Sequence, residues 1–266
     1  MGRRISKRKK QQRRQVLVLV AILIIAAWFF ISHPAVKSRI KLLFYRGTEN
    51  QVTYRESKDH LKAYQLFGLD VSEYQDVIVW NKLTKHNRVD FVFIRATAGK
   101  NYKDKQFDYN WHKTKKHGIV HGAYHYYRPN ENSLQQAENF IHCVDLETGD
   151  LPPVLDIEDY SNLQSLHKLK IGLLRWLEAV EKHYGVKPII YTYFKYYLLH
   201  FLNDPRFNEY SFWLGRYGNY KSPERPGKNW IFWQFTQTGR ITGINDNVDI
   251  NVFYSDEQML KSILLD

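Results

Sequence analysis

Two acidic residues set two positions apart, Asp156 and Glu158 in the run PPVLDIED, offer the sharpest chemistry in this chain. If the apolar residues around them form a strand, residues i and i+2 project from one face. Both carboxyls then point the same way, and Leu155 and Ile157 point to the other side. Held close together in a partly dehydrated site, two carboxyls repel, one pKa rises, and a neutral acid stands beside an anion near neutral pH. Hydrolysis of a glycosidic bond needs such a pair: an acid to protonate the leaving oxygen and an anion to stabilise or attack the anomeric carbon. Glu158, with the longer reach and nearer the strand end, is the expected acid. Asp156, set deeper, is the expected charged partner. Two further acids end apolar runs in the same manner, Asp70 in GLDVS and Asp249 in NVDIN.

Clustered carboxylates also bind magnesium or calcium. A metal-dependent hydrolase therefore stays open beside the glycosidase, and so does a binding module without catalysis. The histidines (His112, His117, His121, His125, His142) form no recognisable ligand pattern, and no metal site or organic cofactor is expected. Aromatic side chains favour a sugar ligand: Tyr124, Tyr126, Tyr191, Tyr193, Trp213, Trp233 and Phe235 all fall on apolar runs near the same acids, although some must be core. Gln75, Arg95 and Gln234 are the polar candidates for contacts to sugar hydroxyl or acetamido groups. Cys143 is the only cysteine, and its helical context makes it a small core residue rather than a nucleophile.

The elements that must position these groups follow from the pattern of apolar runs. Strands are expected at 66–71, 90–96, 118–126, 153–158, 188–193, 211–217, 229–235 and 247–251. Helices are expected near 76–86, 104–117, 133–146, 163–184 and 195–202. In the longest helix Leu166, Leu169, Leu173, Leu177 and Val180 recur at helical spacing, and Gly185 then Pro188 end it. Strands alternating with helices imply parallel pairing through right-handed crossovers. Eight strands suggest closure. The expected fold is an α/β, irregular TIM-like barrel of five β/α units plus three further strands, with the acids at the C-terminal strand ends where such barrels carry their active sites.

The net charge of +12 suggests nucleic acid until it is located. Residues 1–15 hold eight Lys or Arg and no acid, so most of the excess lies outside the folded part, and no nucleic-acid partner is expected. This basic segment abuts Val16 to Ile31, a run without a polar residue. Extended through residue 36, it is just long enough to span a bilayer, which needs about 20 apolar residues. The basic flank keeps the N-terminus cytoplasmic. The expected organisation is a basic cytoplasmic segment (1–15), one transmembrane signal-anchor helix (16–36), a juxtamembrane stalk (37–64) and a catalytic barrel (65–266). The barrel is then extracytoplasmic, in the periplasm or facing the wall, on a bacterial cytoplasmic membrane. A cleaved signal peptide is the competing reading.

Seven segments in order resemble glycoside hydrolase family 25, the Chalaropsis-type lysozymes. They are GLDVSEYQ (68–75) with Trp80, DFVFIRATAG (90–99), GIVHGAYHYYRP (118–129), LPPVLDIED (151–159), PIIYT (188–192), FWLGRY (212–217) and WQFTQTGRITGINDNVDIN (233–251). The resemblance implies a flattened barrel and hydrolysis of the β-1,4 bond between N-acetylmuramic acid and N-acetylglucosamine in peptidoglycan glycan strands. It also implies Glu158 as general acid, Asp156, Asp70 and Asp249 as companion carboxylates, and Tyr126, Tyr191 and Trp213 as groove-lining positions. Asp156 either attacks directly or orients the substrate's acetamido oxygen as the nucleophile. The family commonly has a glutamate in the second-strand motif where this chain has RATAG, with Arg95 and Ala98. No wall-binding repeat is present, so the membrane anchor is expected to keep the enzyme near its substrate.

Overall fold

The computed structural model describes residues 52–218, 220–223 and 229–266. The segments read as basic tail and anchor, residues 1–36, lie outside the described residues. Among the described residues no helix is long and apolar enough to cross a membrane.

Eight strands close into a barrel: β2 (Phe67–Val71), β3 (Phe91–Ala98), β5 (Val120–Tyr126), β6 (Val154–Asp156), β7 (Ile189–Tyr193), β8 (Phe212–Gly215), β9 (Trp230–Arg240) and β10 (Val248–Phe253). Two short strands lie outside the ring, β1 (Val52–Thr53) on β9 and β4 (Tyr102–Lys103) on β3. Neighbours from β2 round to β9 are parallel, and β10 closes the ring antiparallel to both β9 and β2. Helices follow the first five ring strands: α2 (Trp80–His86), α3 (Phe107–Lys116), α4 (Ser133–Cys143), α5 (Leu166–Tyr184) and α6 (Phe194–His200). A short α7 (Glu257–Lys261) ends the chain's regular structure. The expected five β/α units and three further strands are all present.

Two layers of core hold this frame. Outward-facing residues of the strands, among them Val92, Ile94, Leu155, Ile157 and Ile190, pack against helix residues such as Leu173, Trp176, Leu177 and Phe140. The barrel interior is a separate cluster rich in aromatics, with Phe91, Phe93, Trp213, Phe232 and Phe253 at its heart. Phe93 stacks on Trp213 at 4.6 Å between ring centroids and meets Phe232 edge-on at 5.0 Å. The interior is therefore a packed plug rather than a pore, as in barrels of this kind. Leu155 and Ile157 face the helix layer and Val154 faces the plug, as the period-2 alternation predicts.

The observed edges differ from the sequence pattern in two informative places. Helix α5 starts at Leu166 rather than 163, because Ser165 caps the Lys168 amide while Ser161 and Gln164 bond to Asn130 and to the Pro129 carbonyl. Its C-terminus falls where expected, with Gly185 in the left-handed region at φ 74°. The second difference concerns residues 52–64, which composition assigned to a stalk. Val52 and Thr53 pair with Gly239 and Arg240 of β9, and helix α1 (Tyr54–His60) follows under a Thr53–Glu56 capping box. The Tyr54 hydroxyl donates to the carbonyls of Phe67 and Arg88, so this segment is stitched to the barrel wall.

Candidate active site

The three carboxylates carried by strands converge at one end of the barrel. Asp70 is the penultimate residue of β2 and Asp156 the last of β6; Asp249 lies near the start of the antiparallel β10, which brings it to the same end. Register places Asp249 directly opposite Asp70. Burial pushes the Asp70 carboxyl up to about 6, against the opposing effect of its hydrogen bonds from Asn251 and Gln234.

Asp156 is buried, and its carboxyl is raised well above the ordinary range, first by desolvation and then by the charges of Glu158 and Asp70, with Arg95 opposing. One of its oxygens, Oδ1, has no hydrogen-bond partner. Glu158 lies just past the strand end, half-buried, and accepts a 2.9 Å hydrogen bond from the Tyr193 hydroxyl. Burial therefore favours the neutral form of Asp156.

Gln234 of β9 is the hub of the cluster. Its Nε2 donates to Asp70 Oδ2 at 2.8 Å and to Asp249 Oδ2 at 3.3 Å, and its Oε1 accepts from Tyr191 and Tyr217 hydroxyls, each at 2.5 Å. Asn251 donates to Asp70 at 2.7 Å and accepts from the Trp213 indole at 2.8 Å. Gly215 leaves room for this cluster, since a Cβ there would sit 2.8 Å from the Tyr191 hydroxyl.

Of the residues expected to meet substrate, several support the site from within. Trp213 is 2 % exposed and Tyr191 4 %, so neither offers a ring face to a ligand; both hold the polar hub in place. Gln75 accepts from the Ser72 amide and donates to the Asn247 carbonyl, tying the loop after β2 to the loop before β10. Arg95 is tied to Asp104 at 2.7 Å and Glu73 at 3.1 Å beneath the Tyr74 ring, which leaves it a rim brace. Tyr126 remains at the groove, half-buried, with its hydroxyl on Asp159 at 2.9 Å. Tyr217 and Asn251 were not singled out as site residues, and Tyr193 was named only among the aromatics near the acids. Alternation could have found both, since Asn251 lies two positions from Asp249 and Tyr217 lies four from Trp213 within the expected strand 211–217, although β8 ends at Gly215. Among the described residues no group of three or more His, Cys, Asp or Glu could hold a metal ion.

A closed, mostly parallel barrel with a buried carboxylate and a second carboxylate at the rim two residues on is an arrangement that suits glycosidic hydrolysis. The profile of glycosyl hydrolases family 25 matches residues 69–244. The chain belongs to this family. It is 36% identical over 249 residues to "Uncharacterized protein YegX" of Escherichia coli O157:H7, covering 88% of this chain and 90% of that protein. It is 32% identical over 208 residues to "Lysozyme M1" of Streptomyces globisporus, covering 74% of this chain and 70% of that one. Among solved structures, a family 25 glycosyl hydrolase from Bacillus anthracis superposes with a TM-score of 0.68 at 33% identity, over 76% of this chain and 95% of that one. A bacterial lysozyme from Streptomyces coelicolor gives 0.68 at 27% identity, over 75% and 96%.

Proposed function

We propose that this chain is a muramidase that hydrolyses the β-1,4 bond between N-acetylmuramic acid and N-acetylglucosamine in peptidoglycan, with Glu158 as general acid and Asp156 as its charged partner. The observation that carries this reading is the inequality of the two acids: Asp156 buried with one oxygen unpartnered, Glu158 at the rim and held by Tyr193. In the free protein burial favours the neutral form of Asp156. A substrate acetamido N–H donated to Asp156 Oδ1 stabilises the Asp156 anion, because a hydrogen bond to the charged form lowers its pKa. Glu158 is then the protonated member. It gives its proton to the leaving oxygen as the glycosidic C–O bond breaks, while the acetamido oxygen, oriented through its N–H by Asp156, bonds to the anomeric carbon. Water then opens this ring intermediate, and the Glu158 carboxylate takes the proton that the water loses. Relatives named lysozyme and muramidase support the substrate class.

The membrane reading belongs to the same proposal: residues 1–15 cytoplasmic, 16–36 spanning a bacterial cytoplasmic membrane, and the barrel on the outer side with its substrate. Protease protection in spheroplasts tests it, and a barrel shielded from external protease would overturn it.

The activity test is incubation of the full chain, in detergent micelles, with purified peptidoglycan, followed by borohydride reduction and mass spectrometry of the new ends. Reduced muramic acid is expected. Reduced glucosamine ends would mean the other glycosidic bond is cut, and no new ends would remove the hydrolase reading.

A further inference from the structure

The loop that follows β6 is fixed one residue at a time. Glu158 accepts from Tyr193 at 2.9 Å, Asp159 from Tyr126 at 2.9 Å, and the Tyr160 hydroxyl pairs with His200 Nε2 at 2.9 Å. Ser161 then bonds Asn130 at 2.6 Å, and Gln164 bonds the Pro129 carbonyl at 2.6 Å. Most of these partners hold acids or backbone, but Tyr160 is different. The residue is 56 % exposed, yet its ring is held: it stacks on the buried Tyr196 at 4.9 Å and 28° and stands perpendicular to the His200 ring at 5.4 Å. Tyr196 and His200 stand four residues apart on α6, so they share a helix face. Tyr193, which holds Glu158, immediately precedes that helix. One short segment, 193–200, therefore positions both the acid and the aromatic ring two residues beyond it. The Cα atoms of Glu158 and Tyr160 are at most about 7 Å apart by chain length alone.

From this we infer that Tyr160 is a sugar-stacking platform, which binds the apolar face of a pyranose ring in a subsite next to the catalytic acid. An exposed aromatic ring with one face backed by Tyr196 and its hydroxyl anchored presents a flat apolar surface and a polar edge, which suits a pyranose ring with C–H bonds on its face and hydroxyls at its rim. A tyrosine has only two side-chain torsions, and here both are already fixed, so little freedom is lost when a sugar lands on it. A ring serving only to cover Tyr196 would gain nothing from being anchored at its hydroxyl with more than half its surface in water. This inference rests on the muramidase reading for the identity of the glycan, but its binding step does not require turnover.

The test is therefore run in two arms with the full chain. In the first, binding of N-acetylglucosamine oligomers of increasing length is followed by titration calorimetry for wild type, Tyr160→Ala, Tyr160→Leu and Tyr160→Trp. Tyr160→Ala and Tyr160→Leu are expected to weaken binding of the longer oligomers about tenfold, the effect of truncating one well-packed aromatic anchor. Tyr160→Trp is expected to preserve binding, and thermal melts should stay close to wild type for Leu, which still covers Tyr196. In the second arm, Tyr160→Ala should raise KM on glycan strands about tenfold with kcat little changed. Equal binding by wild type and the Ala and Leu variants overturns the platform, whatever the activity. Platform-dependent binding without any new reducing ends would support the platform and instead overturn the hydrolase reading.

Discussion

On the outer face of β5, His125 is sealed between the sheet and the helices; on the inner face, Tyr124 and Tyr126 lie against the acids. Both sides bury polar groups, yet they differ in how those groups are satisfied. His125 Nδ1 lies 2.7 Å from the Thr97 hydroxyl and Nε2 lies 3.2 Å from Gln136 Oε1, which also accepts the Arg128 amide. Gln136 Nε2 in turn donates to the carbonyls of Arg128 and Glu131. Since Gln136 Oε1 is an acceptor, His125 donates through Nε2 and accepts the Thr97 hydroxyl proton at Nδ1, so a neutral ring satisfies every partner. Burial lowers its pKa to about 3. Within the barrel mouth, by contrast, like charges face one another, Asp70 is raised to about 6, and Asp156 keeps an unpartnered oxygen. A fully satisfied buried network fixes a fold; an incompletely satisfied one holds interaction energy that only a ligand can release.

The strongest way to break that contrast is at the acid. Glu158→Gln removes the proton that the proposed mechanism transfers, and on that proposal it is expected to lower the rate of peptidoglycan cleavage by at least about 10²-fold with little change in Tm. Near-normal turnover would mean that the mouth is polar for some other reason.

Next comes stability. Because the folded pKa of Asp70 is raised above that of an unfolded aspartate, the native state binds more protons between about pH 4 and 6, and stability falls as pH rises through that window. Asp70→Asn removes this opposition. It is expected to raise Tm by a few degrees at pH 7, and less at pH 4, while impairing turnover; a Tm that falls at pH 7 would show that the acid is net stabilising.

The smallest effect belongs to the satisfied side. His125 has a depressed folded pKa, so its contribution is intact above about pH 6.5 and is lost as pH falls towards 3. By pH 5 the loss amounts to about 2 kcal/mol. His125→Gln should lower Tm at pH 7 but flatten the decline between pH 7 and 5 in a series of thermal melts. An unchanged slope would move the acid sensitivity elsewhere.

Much of this architecture was legible from the chain alone, for identifiable reasons. The five helices and eight ring strands follow apolar periods of 3.6 and 2, and the acids stand at strand ends because a period of 2 fixes their face. What remained hidden depends on contacts between residues far apart in sequence. Gln234 reaches Asp70 across 164 positions and Asn251 reaches it across 181, and no local pattern announces such pairs. The fates of Trp213 and Tyr191 were obscured for the opposite reason: aromatics on strands suit a groove and a core equally well, and only the packed interior decides. A partly helical stalk was expected over 37–64; what escaped was the short β1 and the docking of α1 on the barrel, which rest on contacts with β9, Phe67 and Arg88 far away in sequence.

The indole N–H of Trp213 is hydrogen-bonded to Asn251, and Asn251 to Asp70. That chain of two contacts gives the protein an internal optical reporter. Deprotonation of Asp70, or arrival of a ligand beside it, alters the field at a rigid, buried fluorophore. An emission change with a midpoint near pH 6 that Trp213→Phe abolishes would allow the state of the acidic barrel mouth to be followed in real time without any label.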